Sequence, residues 1–117
     1  MEVRLMETFG LRTLLWSGHK KGDGTMYVYL MKNEKPLNEE LIKRHVEYLK
    51  SLKSQGKLVL CGPFTDYPGG MVIFLAENLE EATDIAKADP FISSGCKTFE
   101  IRTLEHANEE NNYLLEV

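Results

Sequence analysis

Hydrophobic and polar positions follow each other along the chain in a pattern that predicts four strands and two helices between residues 26 and 104. Short runs of β-branched, aromatic and aliphatic residues bounded by polar, glycine or proline residues are typical of strands. Such runs are found at residues 26–31, 58–62, 71–76 and 98–104.

Two segments between these strands have helical spacing. In the first, Asn38 is a suitable N-cap and Gly56 a suitable C-terminal stop. The positions expected to face the sheet from this helix are Leu41, Ile42, His45, Val46, Leu49 and Leu52. In the second, Asn78 and Glu81 have the spacing of a capping box. That helix should end at Asp89, because a residue before proline is disfavoured in the α region.

The element order strand, helix, strand, strand, helix, strand predicts an α+β, ferredoxin-like fold. It has a four-stranded antiparallel sheet with both helices on one face. We expect the other face to carry Tyr27 and Tyr29, and this face would be too apolar to meet water. A second copy of the chain is the simplest cover, since two-fold homodimers are the commonest soluble assemblies. The sequence thus predicts a homodimer joined through the sheet.

The predicted domain covers residues 26–104, flanked by an N-terminal extension and a C-terminal acidic, Asn-rich tail of residues 105–117. Two interpretations of residues 1–25 stay open. They could form a helix that packs on the domain, or they could be a translated leader. The codons for residues 21–23 can contain a ribosome-binding sequence at a normal distance before a start at Met26.

Composition narrows the range of functions. With 117 residues the chain has room for one domain, and a net charge of −4 argues against a nucleic-acid-binding face. No apolar run approaches the ~20 residues of a membrane span. Nucleotide-binding and metal-binding motifs are absent, so no cofactor and no metal are expected. Cys61 and Cys96 lack metal-ligand spacing and are interpreted as reduced thiols of a cytoplasmic protein.

His45 and Asp89 are the residues most suited to chemistry. His45 lies in the sheet-facing stripe of the first helix, and imidazole is suited to proton transfer at neutral pH. Asp89 lies at the end of the second helix, where the macrodipole disfavours an anion. It could cap a short turn that starts at Pro90 and still reach His45 with its second oxygen. The alternative, that His45 is a hydrogen-bonded core histidine, stays open.

Five short motifs resemble those of the YCII-related (YciI-like) family, in the right order across residues 26–104. They are Arg44-His45-x-x-Tyr48-Leu49, Gly56-Lys-Leu58, Cys61-Gly-Pro-Phe64, Gly69-Gly-Met-Val-Ile-Phe74 and Ala88-Asp-Pro-Phe-x-x-x-Gly95. The resemblance implies a dimeric α/β barrel similar to muconolactone isomerase, with a catalytic His/Asp pair carried onto His45 and Asp89. It also implies pocket walls at Gly62, Pro63 and Phe91, and we add Tyr29 as a fourth substrate-binding residue. Residues 1–25 and 105–117 depart from the family pattern.

Three functions are compatible with these residues. The first is a small cofactor-independent lyase or isomerase that moves a proton on an apolar or aromatic acid. The resemblance suggests it because one member of the YCII-related family is a dehydrochlorinase. The second is a non-catalytic dimer that binds a small ligand. The third, a haem- or quinone-handling monooxygenase, is disfavoured because no haem-ligand motif or basic propionate-binding cluster is visible.

Overall fold

The computed structural model of the chain describes residues 25–115. The elements are β1 (Thr25–Asn33), α1 (Glu39–Ser54), β2 (Leu58–Pro63), β3 (Gly69–Phe74), α2 (Leu79–Ala88), α3 (Pro90–Ser93), β4 (Lys97–Glu105) and a 3₁₀ helix (Glu109–Leu114). Residues 26–103 form one compact unit. Both interpretations of the N-terminal extension were made for residues 1–25, of which residues 1–24 lie outside the described residues.

The four strands form one sheet in the order β2-β3-β1-β4. β3 pairs antiparallel with β1 on one side and with β2 on the other. This order is the one that two interleaved strand–helix–strand halves produce, so the predicted ferredoxin-like fold is confirmed. The β2–β3 pairing contains a register shift between Leu58 and Leu60.

The prediction that Tyr27 and Tyr29 lie on the sheet face without helices is wrong. The register pairs Tyr27 with Phe74 and Tyr29 with Val72, and these four side chains are buried in one core cluster. The same cluster contains helix residues, namely Leu41, Ala82, Ala86 and Phe91. Residues 26–31 of the first strand are all aliphatic or aromatic, so their sequence does not distinguish the two faces. The intervening positions, Val28 and Leu30 among them, take the opposite face.

Both long helices begin and end as their sequences predict. The Asn38 side chain accepts the Leu41 N–H at 2.8 Å, and Gly56 follows α1 with a φ of +76°. Gly56 thus supplies the left-handed conformation that commonly ends a helix. Ile42 and Val46 were predicted in the sheet-facing stripe but are 42% and 40% exposed. None of the helices between residues 25 and 115 is long and apolar enough to cross a membrane.

The capping box predicted for α2 is formed in part. Asn78 accepts the Glu81 N–H at 2.8 Å, but the Glu81 carboxylate accepts the N–H of Glu77 at 2.6 Å rather than that of Asn78. This bond lowers the pKa of the Glu81 carboxyl, as does, to a smaller degree, Lys57 at 3.4 Å. Hydrogen bonds that Glu81 forms with Asn78 and Glu77, the two residues before α2, therefore hold the first turn of the helix in place.

Candidate active site

The structure brings His45 and Asp89 together. His45 lies in the middle of α1, four residues after the buried Leu41, and its side chain is 12% exposed. Its Nδ1 lies 2.8 Å from Oδ1 of Asp89, which is fully buried at the end of α2. The two side chains thus form a direct pair without an intervening water.

Asp89 is held by two further hydrogen bonds. The Tyr29 hydroxyl donates to Oδ2 at 2.7 Å, and the Phe91 N–H donates to Oδ1 at 2.9 Å. The second bond caps α3, which starts at Pro90 as the sequence predicted. An ionised carboxylate only accepts hydrogen bonds, so it matches a site where every neighbour can donate.

This environment determines which protons His45 can exchange. Because Asp89 accepts, the proton of a neutral imidazole lies on Nδ1, and the lone pair lies on Nε2. A buried carboxylate on Nδ1 also stabilises the imidazolium that forms when Nε2 takes up a proton. The pair has the geometry of a general base with an orienting partner.

Phe91 separates His45 from a buried lysine. The Phe91 ring is stacked on the imidazole, with centroids 3.8 Å apart and an interplanar angle of 13°. Lys97 Nζ lies over the same ring, 4.3 Å from its centroid, and Lys97 is only 7% exposed. Burial lowers the pKa of the Lys97 ammonium, and the negative charge of Asp89 partly offsets that effect.

Two tyrosines complete the surroundings of Asp89. Burial, followed by the charge of Asp89 and its hydrogen bond, raises the pKa of Tyr29 well above its ordinary value. Tyr48 donates to the Ile85 carbonyl at 2.6 Å, and burial and then Asp89 raise its pKa to about 12. Both phenols are therefore neutral hydrogen-bond donors at neutral pH. The predicted role of Tyr29 in substrate binding stays a prediction, since its hydroxyl already bonds Asp89.

The remaining predicted site residues lie at the end of β2. Gly62 and Pro63 are exposed and pair with Met71 and Gly70 of β3. Their role as pocket walls stays a prediction. A shallow groove of about 450 Å³ lies along α1, and neither His45 nor Asp89 is among its lining residues, which are Glu40, Lys43, Arg44, Glu47, Tyr48 and Pro90.

Comparison with known proteins identifies the family. The YCII-related domain matches residues 25–105. The chain belongs to the YCII-related family. This confirms the resemblance seen in the five motifs of the sequence. Within residues 25–115, no group of three or more histidine, cysteine, aspartate or glutamate side chains could hold a metal ion.

Two individual proteins are similar to this YCII-related chain. The uncharacterised protein YjpA of Bacillus subtilis (strain 168) is 40% identical over 80 residues, which are 66% of this chain and 93% of YjpA. A solved structure is similar in fold, with a TM-score of 0.53 and 23% identity over 69% of this chain and 94% of that one. It is the 5-chloro-2-hydroxyhydroquinone dehydrochlorinase TftG of Burkholderia phenoliruptrix AC1100, in complex with 2,5-dihydroxybenzoquinone.

Sequence reasoning did not single out Lys97 or the role of Tyr48 in this YCII-related domain. The fourth strand was predicted from residue 98, whereas β4 begins at Lys97. Lysine is also among the residue types least often buried, so nothing in the pattern marked it as a core residue. A signal was available for Tyr48, which lies three residues after His45 and therefore on the same side of α1.

Proposed function

We propose that this YCII-related protein is a small cofactor-independent enzyme, a lyase or isomerase that moves a proton on a small apolar or aromatic acid. The observation that carries the proposal is the 2.8 Å contact between His45 Nδ1 and the fully buried Asp89. A buried carboxylate on one ring nitrogen prepares the other for general base catalysis.

In the proposed reaction, Nε2 of His45 takes a proton from an activated carbon of the substrate. The C–H electron pair then moves into the substrate, and the imidazolium is stabilised by Asp89. In an isomerisation the same proton returns to a different carbon. In an elimination the electron pair forms a double bond, an anionic leaving group departs, and His45 passes the proton to water.

The substrate class rests on the surroundings of the pair. The groove along α1 is lined by the cationic Lys43 and Arg44, by the acidic Glu40 and Glu47, and by Tyr48 and Pro90. A carboxylate can lie near these cations while an apolar body lies on Tyr48 and Pro90. The likeness to TftG shows a shared fold at 23% identity. It makes a chlorinated hydroquinone a rational probe within a wider panel of carbon acids.

Proton exchange tests this function without knowledge of the natural substrate. The protein is incubated in D₂O with aromatic and unsaturated carboxylic acids and with chlorinated hydroquinones, and deuterium incorporation or chloride release is followed. We expect His45→Ala to lower the rate for any active compound by about 10²- to 10⁴-fold, the usual contribution of a general base.

The matched control is His106→Ala, which removes an exposed histidine far from α1 in the sequence and should leave the rate unchanged. A rate that is the same in His45→Ala and in the unaltered protein contradicts the proposal. Retention of a panel compound by the protein without exchange or turnover supports the second function, a non-catalytic binding protein.

We also propose that the protein is a homodimer formed through the sheet face opposite the helices. That face carries half-buried apolar side chains, namely Val28, Leu30, Met71 and Ile73. Leu60 is paired with Ile73 on the same face and is 57% exposed. A second copy presents the same apolar face, and an isologous two-fold contact covers both at once.

A further inference from the structure

We propose that Lys97 is a positioning residue of the candidate site, whose ammonium faces His45 across the Phe91 ring and opposes protonation of the imidazole. Lys97 comes from β4, an element that contributes none of the residues His45, Asp89 and Tyr29. The inference deepens the proposed function and rests on it for its catalytic meaning, since a neutral imidazole is the form that can act as a base.

The first step of the argument is the order of three groups in space. An imidazole lying nearly parallel to the Phe91 ring, with centroids 3.8 Å apart, covers one face of that ring. Lys97 Nζ, 4.3 Å from the ring centroid, therefore has to approach the opposite face. His45 and Lys97 lie on either side of one benzene ring. That ring gives the ammonium a favourable cation–π contact.

The second step concerns the charge of Asp89. A fully buried carboxylate is costly unless a cation lies near it. Among the described residues, the titratable groups that interact with Asp89 include His45 and Tyr48 on α1, Tyr29 on β1 and Lys97 on β4. Of these four, His45 and Lys97 can be cationic. His45 contacts Asp89 directly at 2.8 Å, whereas Lys97 acts on it without a direct ion pair.

The third step concerns the effect of Lys97 on His45. Lys97 is buried, which disfavours its charge, and the negative charge of Asp89 partly offsets that effect. Once the ammonium is present, a second positive charge on His45 would face it across the Phe91 ring with little water between them. This repulsion opposes protonation of His45, whereas the attraction of Asp89 favours it. Lys97 therefore lowers the protonated fraction of His45 and leaves more of its Nε2 lone pair available.

The experiment reads the protonation of His45 directly. Protein labelled with ¹⁵N-histidine is observed by NMR at pH 7, and the His45 resonances are assigned by their loss in His45→Ala. In Lys97→Gln we expect the ratio of protonated to neutral His45 to rise about tenfold, an effect of the size that one nearby charge exerts in a protein interior. Lys97→Arg keeps the cation and should restore the spectrum of the unaltered protein.

The matched control is Lys35→Gln, which removes a lysine that is exposed. An unchanged ratio in Lys97→Gln, or the same change in Lys35→Gln, overturns the proposal. If Lys97→Gln does not fold, Lys97→Met is measured instead, because it keeps an unbranched side chain and removes the charge; an unchanged ratio in that variant overturns the proposal. This NMR experiment uses no substrate. A failure to find turnover in the proton-exchange experiment would therefore contradict the proposed function without changing the result for Lys97.

Discussion

At the scale of single residues, Asp89 is the group on which the site is built. Its two oxygens accept bonds from a helix side chain, a strand side chain and a backbone N–H. Removal of any donor leaves part of a buried carboxylate without a partner, which costs about 1–3 kcal/mol or more for a charged group. The same residue fixes the start of α3 and the orientation of His45.

The raised pKa of Tyr48 predicts a loss of stability in alkali. In the folded protein its pKa is about 12, whereas a tyrosine in the unfolded chain titrates near pH 10. Between these values the unfolded state has lost a proton that the folded state keeps. Stability therefore falls as pH rises through this window, and the contribution of Tyr48 is fully present only below about pH 10.

Urea unfolding at pH 8, 10 and 11 measures this contribution. We expect the free energy of unfolding to fall less steeply with pH in Tyr48→Phe than in the unaltered protein. Some dependence remains, because the pKa of Tyr29 is raised too. Tyr67→Phe, at an exposed tyrosine, is the control and should keep the full slope. Equal slopes in Tyr48→Phe and the unaltered protein would contradict the assignment.

The residues of the site could be predicted only in part from the sequence. Helical spacing indicated the direction of His45, and the Asp-Pro sequence indicated the cap, so both ends of the pair were foreseeable. Tyr29 was named, but its bond to Asp89 depends on which face of β1 meets the helices. Lys97 was not named, because its burial results from contacts made only after β4 pairs in the sheet.

At the scale of elements, the join between β2 and β3 depends on close backbone approach at Gly70. A Cβ atom there would lie 2.6 Å from the Gly62 carbonyl oxygen and 3.0 Å from Pro63 Cα. Both neighbours are backbone atoms, so they cannot turn away as a side chain would. The third strand was predicted from residue 71, whereas Gly69 and Gly70 also belong to it.

We therefore expect Gly70→Ala to lower the free energy of unfolding by about 1–3 kcal/mol, the usual cost of overpacking. Gly62→Ala is a matched control on the facing strand, since nothing lies within 4 Å of a Cβ added there. It should be neutral or slightly stabilising, because alanine has less backbone freedom to lose than glycine. Denaturant unfolding compares the two variants. Equal free energies of unfolding would show that the backbones of β2 and β3 can move apart at Gly70 without a loss of stability.

Element order and helix ends followed from the sequence because they depend on local chemistry. Asn38, Gly56 and Asn78 act on backbone groups within a few residues of themselves. The orientation of β1 did not follow, since residues 26–31 are aliphatic or aromatic on both faces and leave no polar side to mark the solvent. The exposure of Ile42 and Val46 likewise depends on which side of α1 meets the sheet.

At the scale of the whole molecule, the proposed homodimer predicts that one charge on the open sheet face separates the two copies. Leu60→Lys, at a position 57% exposed, should fold normally and raise the dissociation constant at least about hundredfold, because the contact would bury an unpaired ammonium. Leu79→Lys is the control: it lies at the start of α2 and is 50% exposed, so it tests the same change away from the sheet. Sedimentation equilibrium at micromolar concentrations measures both variants and the unaltered chain. An unaltered chain that sediments as a monomer, or a Leu60→Lys variant that remains as dimeric as Leu79→Lys, would show that the apolar sheet face does not pair with a second copy.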